Sequence, residues 1–317
     1  QIEYGTTDQI INNPKEDYTK ALIDAAHVMP DEINSPLINV LKAPPLLEVK
    51  DVTAGYGKNQ EIIAVEDINL VIEPGETVGV IGESGSGKTT LGRLISGLMA
   101  PTTGEIFLSG QLLKNSVSRR SRHELRDIQF AFQMADVALN PRQKIGKILG
   151  RPMQFYRNIS NKEMEYEVEK LLARVELPIE FFRRFPTELS GGQRQRINLA
   201  RALAAKPKLI ICDEITSALD TIVAQQILDL LDSLQDELGL SYLFITHNIA
   251  TVAQISKKIA VMRSGQIIQQ GYVEEVLTPP CHEYTQLLLN SVPEMRTDWL
   301  DTAVIERRDL LKKLKLK

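Results

Sequence analysis

The segment VGVIGESGSGKTT, residues 78–90, decides the fold. The apolar run VGVI is typical of a buried strand, the residues after it have the spacing G-x-x-x-x-G-K-[ST], and LGRLISGLM then follows a helical pattern. Glycines let successive backbone N–H groups point at phosphate oxygens, and the helix start adds partial positive charge. A chance glycine-rich turn is the alternative, and the strand before and helix after argue against it.

This predicted phosphate-binding loop also offers charge and hydroxyl groups to a triphosphate. Lys88 supplies a positive charge to the terminal phosphates, and Thr89 supplies a hydroxyl for Mg²⁺. The loop residues predicted to hold ATP are Gly82, Glu83, Ser84, Gly85, Ser86, Gly87, Lys88, Thr89 and Thr90.

Two acidic residues follow a second apolar run, LIIC at residues 209–212. They are therefore expected at the carboxyl end of a buried strand, where open α/β sheets bind their ligands. Asp213 is predicted to hold the metal, and Glu214 is the candidate general base for the attacking water. Two solvated acids at a strand end are the alternative, which the phosphate-binding loop disfavours.

The segment LSGGQ, residues 189–193, precedes a helix-compatible stretch, RQRINLARALAA. Ser190 and Gln193 fit the S-x-x-Q capping box, so an ordinary helix start is one interpretation. Gly191 and Gly192 are poor helix formers, and they favour a second interpretation in which the backbone approaches an anion. Together with the phosphate-binding loop and IICDE, LSGGQ resembles the signature of the ATP-binding cassette (ABC) ATPases.

This resemblance implies roles for residues whose patterns are weak alone. Tyr56 would stack on adenine, Gln133 in FAFQ would sense Mg²⁺ and link to a helical subdomain, and His247 would contact the γ-phosphate. SALD, residues 217–220 ending at Asp220, would cross the interface between two cassettes. The implied catalytic residues are Glu214, His247 and Gln133, the implied Mg²⁺ ligands are Thr89, Gln133 and Asp213, and the implied ATP contacts outside the loop include Tyr56, Asp213, Ser190, Gly191, Gly192, Gln193 and Asp220.

The order of apolar segments predicts an α/β fold. The predicted strands are 46–53, 64–72, 77–81, 105–108, 208–212 and 241–246. The last two are short, apolar and separated by the helical pattern of residues 221–238, as in a parallel sheet covered on both faces. Residues 142–184 carry a helical pattern instead. With the resemblance, this implies a P-loop ABC ATPase fold over residues 46–270, with a β-rich N-terminal part, a parallel-sheet core and a helical signature subdomain at about 134–189.

Five identities recur at an offset of 266 residues between the two ends of the chain. They pair Gly5 with Gly271, Pro14 with Pro280, Tyr18 with Tyr284, Thr19 with Thr285 and Leu22 with Leu288. Chance similarity of two amphipathic helices is the alternative, but helical period alone would not align all five. We therefore expect residues 1–45 to be the tail of a preceding cassette, with a linker at 31–45, and residues 271–317 to be a C-terminal extension.

Composition excludes several classes of protein. A formal net charge of −4 and a pI of about 5.8 argue against a broad basic surface, so nucleic acid is not an expected partner. No stretch approaches the about 18 apolar residues that a membrane-spanning helix needs. Cys212 and Cys281 are the only cysteines, so we expect a reducing compartment and no iron–sulfur cluster.

Two further segments, ALNPR at 138–142 and TPPCHEYTQLLLNSVP at 278–293, resemble the oligopeptide, dipeptide and nickel importer branch. The resemblance implies an ATPase on the cytoplasmic face of the inner membrane that energises uptake of peptides or related solutes. Its implied partners are a second ABC cassette upstream in the same chain, transmembrane permease subunits that dock on residues 133–184, and, indirectly, an external solute-binding protein.

Two other functions stay open at this point. A twin-cassette protein acting on ribosomes or DNA would be expected to carry a long charged linker or basic stretches. A non-catalytic regulatory cassette would be expected to lack some of Gln133, Glu214 and His247, all of which are present.

Overall fold

Two β-sheets and their helices make up the part of the chain that the computed structural model describes, residues 2–26, 44–57 and 61–292. The strands are β1 Leu47–Tyr56, β2 Ile62–Ile72, β3 Thr77–Ile81, β4 Thr103–Leu108, β5 Gln111–Leu112, β6 Ile128–Ala131, β7 Leu209–Asp213, β8 Ser241–Ile245, β9 Lys258–Arg263 and β10 Gln266–Tyr272. The α-helices are α1 Thr7–Asn12, α2 Asp17–Ala26, α3 Lys88–Ser96, α4 Arg122–Asp127, α5 Ala135–Ala138, α6 Ile145–Arg157, α7 Asn161–Arg174, α8 Gly191–Leu203, α9 Thr221–Leu238, α10 Ile249–Ile255, α11 Val273–Leu277 and α12 Glu283–Leu289. Short 3-10 helices span Val117–Arg119, Ile179–Arg183 and Pro186–Glu188. The predicted linker, except Pro44 and Pro45, and the extension beyond residue 292 lie outside the described residues.

The early β-rich part forms an antiparallel sheet in the order β2-β1-β4-β5. The second sheet has the order β10-β9-β3-β8-β7-β6. Its strands from β9 to β6 are parallel, and β10 pairs antiparallel with β9 at the edge. The predicted strands are confirmed within a few residues at their ends, whereas the sequence patterns do not predict β5, β6, β9 or β10.

Side chains of the parallel sheet divide between two apolar cores. In β7, Leu209 and Ile211 face a core shared with the antiparallel sheet and with Leu91 of α3. Ile210 and Cys212 face a second core under the helices. Successive residues of a strand point to opposite faces of the sheet. Because an apolar core covers each face, every residue of β7 is buried.

Helices α5 to α8 are inserted between β6 and β7, and α6 and α7 lie within the predicted helical stretch at 142–184. Helix α8 packs against α5, α6, α7 and α9 and contacts β6. It therefore joins the inserted helices to the sheet.

The two ends of the described chain carry similar pairs of helices. Helices α11 and α12 begin 266 residues after α1 and α2, which is the offset of the sequence repeat. Helix α2 packs on α9, and α12 packs on α11. Within the described residues, no helix has both the length and the apolar character needed to cross a bilayer.

Candidate nucleotide site

The glycine-rich loop emerges where the buried strand β3 reaches the carboxyl edge of the parallel sheet. Lys88, the first residue of α3, is 5% exposed. Its Nζ donates hydrogen bonds to the carbonyl oxygens of Gly82 at 2.7 Å and Glu83 at 2.8 Å. Burial lowers the pKa of Lys88, and the carboxylates of Glu214 and Asp213 oppose that effect. The ammonium group thus lies inside the curl of its own loop.

Two glycines of the loop lie where a side chain would collide with the backbone. A Cβ at Gly82, with φ +151°, would lie 2.1 Å from the carbonyl oxygen of Met262. At Gly87, with φ +105°, it would lie 2.8 Å from the carbonyl oxygen of Ala64. Both φ values also favour glycine. Only glycine therefore allows the loop to pack this closely against the backbone of Met262 and Ala64.

Thr89 and Asp213 come together although they lie on different elements. The Thr89 hydroxyl donates to Asp213 Oδ1 at 3.1 Å, and Asp213 is 6% exposed. Burial raises the pKa of Asp213, and the hydrogen bond from Thr89 lowers it. A hydroxyl and a carboxylate are the hard oxygen donors that suit Mg²⁺, so the donor set fits the predicted metal.

Two predicted catalytic residues, Gln133 and His247, lie against the carboxylate of the third, Glu214. Gln133 Nε2 donates to Glu214 Oε2 at 2.8 Å, and His247 Nδ1 lies 3.5 Å from Glu214 Oε1. Glu214 itself has a left-handed φ of +48°, and its N–H donates to the carbonyl oxygen of Ile245 at 2.8 Å. The acid directly after β7 is therefore fixed by its backbone and by two side chains.

Tyr56 ends β1 and lies beside the phosphate-binding loop. Its hydroxyl shares a hydrogen bond of 2.9 Å with the hydroxyl of Thr90, and the residue is 44% exposed. Its role in stacking on adenine stays a prediction.

The signature segment forms the capping box that its sequence allows. Ser190 Oγ accepts from the Gln193 N–H, and Gln193 Oε1 accepts from the Ser190 N–H at 3.0 Å. Gly192 also has a packing reason, since a Cβ there would lie 2.5 Å from Val223 Cγ1 of α9. Across the described residues, no hydrogen bond or ion pair joins residues 190–193 to residues 82–90. The structure therefore does not join the signature to the phosphate-binding loop of its own chain.

The SALD segment begins at the candidate base and ends in a helix cap. Ser217 Oγ donates to the carbonyl oxygen of Glu214 at 2.9 Å. Asp220 caps α9 by accepting from the N–H of Val223 at 3.0 Å. Its part in an interface between cassettes stays a prediction.

A row of polar side chains on α8, which was not predicted from the sequence, binds the segment around Gln133. The contacts are an ion pair between Arg194 and Asp136, a hydrogen bond of 2.8 Å from Asn198 to the Phe132 carbonyl and one of 2.6 Å from Arg201 to the Ala138 carbonyl. Their spacing of four and three residues places all three on one helix face, which is a signal that the sequence offers. Through this row, Gln133 is attached to the helix that begins at the signature.

Two protein-family models match the sequence of this chain. The model of the ABC transporter family matches residues 65–217, and the model of the oligopeptide/dipeptide transporter C-terminal region matches residues 2–50 and 268–313. A putative peptide import ATP-binding protein of Brucella abortus is 44% identical over 78% of this chain and 75% of its own length. The chain belongs to the ABC transporter ATP-binding proteins. Its C-terminal region assigns it to their oligopeptide and dipeptide branch.

Two further relatives of this ABC ATPase are also named as ATP-binding proteins for transport or import. The dipeptide transport ATP-binding protein DppF of Haemophilus influenzae is 39% identical, with 83% of this chain and 80% of that protein covered. The glutathione import ATP-binding protein GsiA of Escherichia coli O157:H7 is 38% identical over 92% of this chain, which covers only 52% of GsiA.

A solved structure also supports the ATPase assignment. The dimeric bacterial ABC cassette MJ0796 has a TM-score of 0.64 and 32% identity, with 72% of this chain and 98% of that chain covered. A related structure holds MJ0796 bound to ADP and phosphate after hydrolysis. The chain is accordingly an ATP-binding subunit that hydrolyses ATP to energise an ABC transporter.

Proposed function

We propose that this ATPase energises an importer of peptides or related small solutes. The observation that carries the proposal is that one chain joins the site around Lys88 and Glu214 to the oligopeptide/dipeptide C-terminal region at 268–313. Relatives named for peptide and dipeptide transport support the same class of solute.

The direct test is uptake by the assembled transporter. The chain would be purified with its permease subunits and reconstituted in vesicles with the solute-binding protein. We expect ATP-dependent entry of labelled di- or oligopeptides, and no entry with Lys88→Ala. If the assembly hydrolysed ATP but took up no peptide, the proposed solute class would be contradicted.

Within the site we assign Glu214 as the general base. Hydrolysis requires a group that orients the attacking water and accepts its proton, and a carboxylate in hydrogen-bond reach can do both. Gln133 and His247 each lie against one oxygen of this carboxylate, which restricts its rotation. The Lys88 ammonium would neutralise charge on the terminal phosphates.

The oxygen donors around Asp213 form the candidate Mg²⁺ site. Thr89 and Asp213 supply a hydroxyl and a carboxylate that lie 3.1 Å apart. Gln133, whose amide nitrogen donates to Glu214, would supply its amide oxygen as a third ligand. When bound, the ion supplies positive charge to the phosphate oxygens.

A second cassette completes each site in this proposal. ATP would lie between the phosphate-binding loop of one cassette and the signature, residues 190–193, of the other. The dimeric form of the related cassette MJ0796 supports a pair of cassettes. Residues 217–220 would then lie at the shared interface.

We further propose that the second cassette precedes this one in the same polypeptide. The C-terminal region model matches both ends of the chain, and the helices of the two matches begin at the same offset. Residues 1–45 would be the tail of the first cassette with its linker. Residues 46–270, with a helical subdomain at about 134–189, would be the second cassette, followed by the extension at 271–317. A second phosphate-binding loop and signature upstream in the gene would support this order, and a stop codon there would contradict it.

The permease would dock on the inserted helices, which would hold the ATPase at the cytoplasmic face of the membrane. A groove of about 710 Å³ lies between α6, α7 and the 3-10 helix Ile179–Arg183. Its charged lining residues are Lys144, Lys147, Arg151 and Arg183. All four are cations, so the groove suits a permease segment with acidic residues. Charge reversal at Lys147 and Arg151 would reduce copurification with the membrane subunits.

A further inference from the structure

A tyrosine of the C-terminal extension contacts the phosphate-binding loop. Tyr284 lies in α12 and is 1% exposed, and its hydroxyl accepts a hydrogen bond of 3.3 Å from the backbone N–H of Glu83. The guanidinium carbon of Arg263 lies 5.0 Å from the centre of the tyrosine ring. The two residues joined by the hydrogen bond are 201 positions apart in the sequence.

The position of this tyrosine is set by strand β10. The neighbouring Thr285 is fully buried, and its hydroxyl donates to Gln269 Oε1 at 2.6 Å. The same oxygen accepts from the N–H of His282 at 3.1 Å. Two bonds therefore attach the start of α12 to one β10 side chain, and the bond from the His282 N–H does not depend on the Thr285 side chain.

Glu83 is bound from both sides of its backbone. Its carbonyl oxygen accepts from Lys88 Nζ at 2.8 Å, while its N–H donates to Tyr284. A phosphate chain in the loop would compete for the Lys88 ammonium. The bond to Tyr284 lies outside that competition, so it can hold the first turn of the loop whether or not Lys88 is drawn to a phosphate.

We propose that Tyr284 is a positioning residue through which the C-terminal extension holds the phosphate-binding loop in the shape that binds ATP. The proposal rests on residues 82–90 being the ATP site. Preorganising a loop lowers the ordering cost of binding, so removal of the tyrosine hydroxyl weakens ATP binding.

The test is equilibrium binding of ATP to the full chain carrying Tyr284→Phe. Loss of one neutral hydrogen bond corresponds to an increase of about three- to tenfold in the Kd for ATP. Lys88→Ala, measured in parallel, shows whether the loop is the ATP site, and thermal unfolding of each variant verifies that it is folded.

Two matched variants separate positioning from general stability. Thr285→Val removes a buried hydroxyl from the same helix, but its bond goes to Gln269 and not to the loop. Tyr18→Phe makes the same chemical change at the repeat counterpart, which is 49% exposed. We expect Thr285→Val to lower Tm, and both variants to bind ATP within twofold of the wild type.

Three outcomes would overturn the proposal. Normal ATP affinity in Tyr284→Phe, together with lost binding in Lys88→Ala, would reject the tyrosine's role and leave the site intact. If Thr285→Val weakened ATP binding as much as Tyr284→Phe does, the Tyr284 contact would hold the extension in place without a specific effect on the loop. Normal binding by Lys88→Ala would reject the site assignment and the proposal with it.

Discussion

Gln133 and Glu214 are joined by a hydrogen bond of 2.8 Å although they are 81 positions apart in the sequence. Gln133 follows β6 and Glu214 follows β7, and these strands are neighbours in the parallel sheet. The chain leaves the sheet after β6, forms the inserted helices α5 to α8 and returns to the sheet at β7. A shift of these helices would therefore change the position of Gln133 relative to the candidate base, which provides a physical route from the helices to the chemistry.

Glu214→Gln is expected to abolish most turnover and to retain ATP binding. An amide of the same size cannot accept the proton of the attacking water, so we expect kcat to fall at least about 100-fold. Phosphate release measures kcat, and equilibrium titration measures the Kd for ATP. The exposed Glu169→Gln makes the same charge change on α7 and serves as control. Unchanged turnover in Glu214→Gln would refute the assignment of the base.

Asn198→Ala is expected to impair turnover from a position that is fully buried under the Gln133 segment. The change leaves the Phe132 carbonyl without its 2.8 Å hydrogen bond, at a cost of about 1–3 kcal/mol in folding free energy. Because Gln133 is then less firmly held, we expect kcat to fall by about tenfold with little change in the Kd for ATP.

The control for Asn198→Ala is Gln225→Ala, which removes an amide bonded to Asp229 within α9. It is expected to change neither kcat nor the Kd. If Asn198→Ala lowers stability while kcat stays at the wild-type value, the α8 contacts hold the fold together without positioning Gln133.

Gly192→Ala is expected to destabilise the chain, whereas Gly191→Ala is not. A Cβ at Gly192 would lie 2.5 Å from Val223 Cγ1, and a Cβ at Gly191 would meet its nearest neighbour, Leu219 Cδ2, at 3.7 Å. Overpacking of this kind costs about 1–3 kcal/mol, which thermal unfolding would detect as a lower Tm. Addition of Val223→Ala should restore the Tm of Gly192→Ala. Equal Tm values for the two single variants would contradict the packing argument.

Local patterns were sufficient to predict the core of the fold and the strand ends at which the candidate site residues lie. The phosphate-binding loop has a fixed spacing between a strand and a helix, and β7 is apolar because both of its faces are buried. Strand β6 is only four residues long, and β10 lies at the sheet edge with mostly half-buried residues. Neither carries enough periodicity to be recognised from sequence alone.

The contacts between distant segments could not be predicted in the same way. The bond of Tyr284 to Glu83 depends on where β10 carries α12, and the convergence of Gln133 and His247 on one carboxylate depends on strand order. The close approach of Val223 to Gly192 depends on the packing of α9 against α8. From the sequence, close approach to an anion explains both Gly191 and Gly192. Packing against Val223 supplies a further reason for Gly192.

Glu167→Gln is expected to destabilise the inserted helices in a pH-dependent manner. Glu167 of α7 forms an ion pair with Arg157 of α6. The hydrogen bond from Arg157 lowers the pKa of Glu167 below its ordinary value of 4.5, against the opposing effect of burial. The folded chain thus keeps this carboxylate ionised to a lower pH than the unfolded chain does. The stabilisation is present above pH 4.5 and is lost as pH falls through the lowered pKa.

At pH 7 we expect Glu167→Gln to cost about 1 kcal/mol, since the pair is only partly shielded from water. The exposed Glu165→Gln on the same helix is the control and should leave Tm unchanged. Thermal unfolding from pH 7 down to pH 3.5 should show the Tm of Glu167→Gln approaching that of the wild type as the wild-type carboxylate is protonated. A Tm difference that stays constant over this range would mean that Glu167 stabilises α6 and α7 by packing and not by its charge.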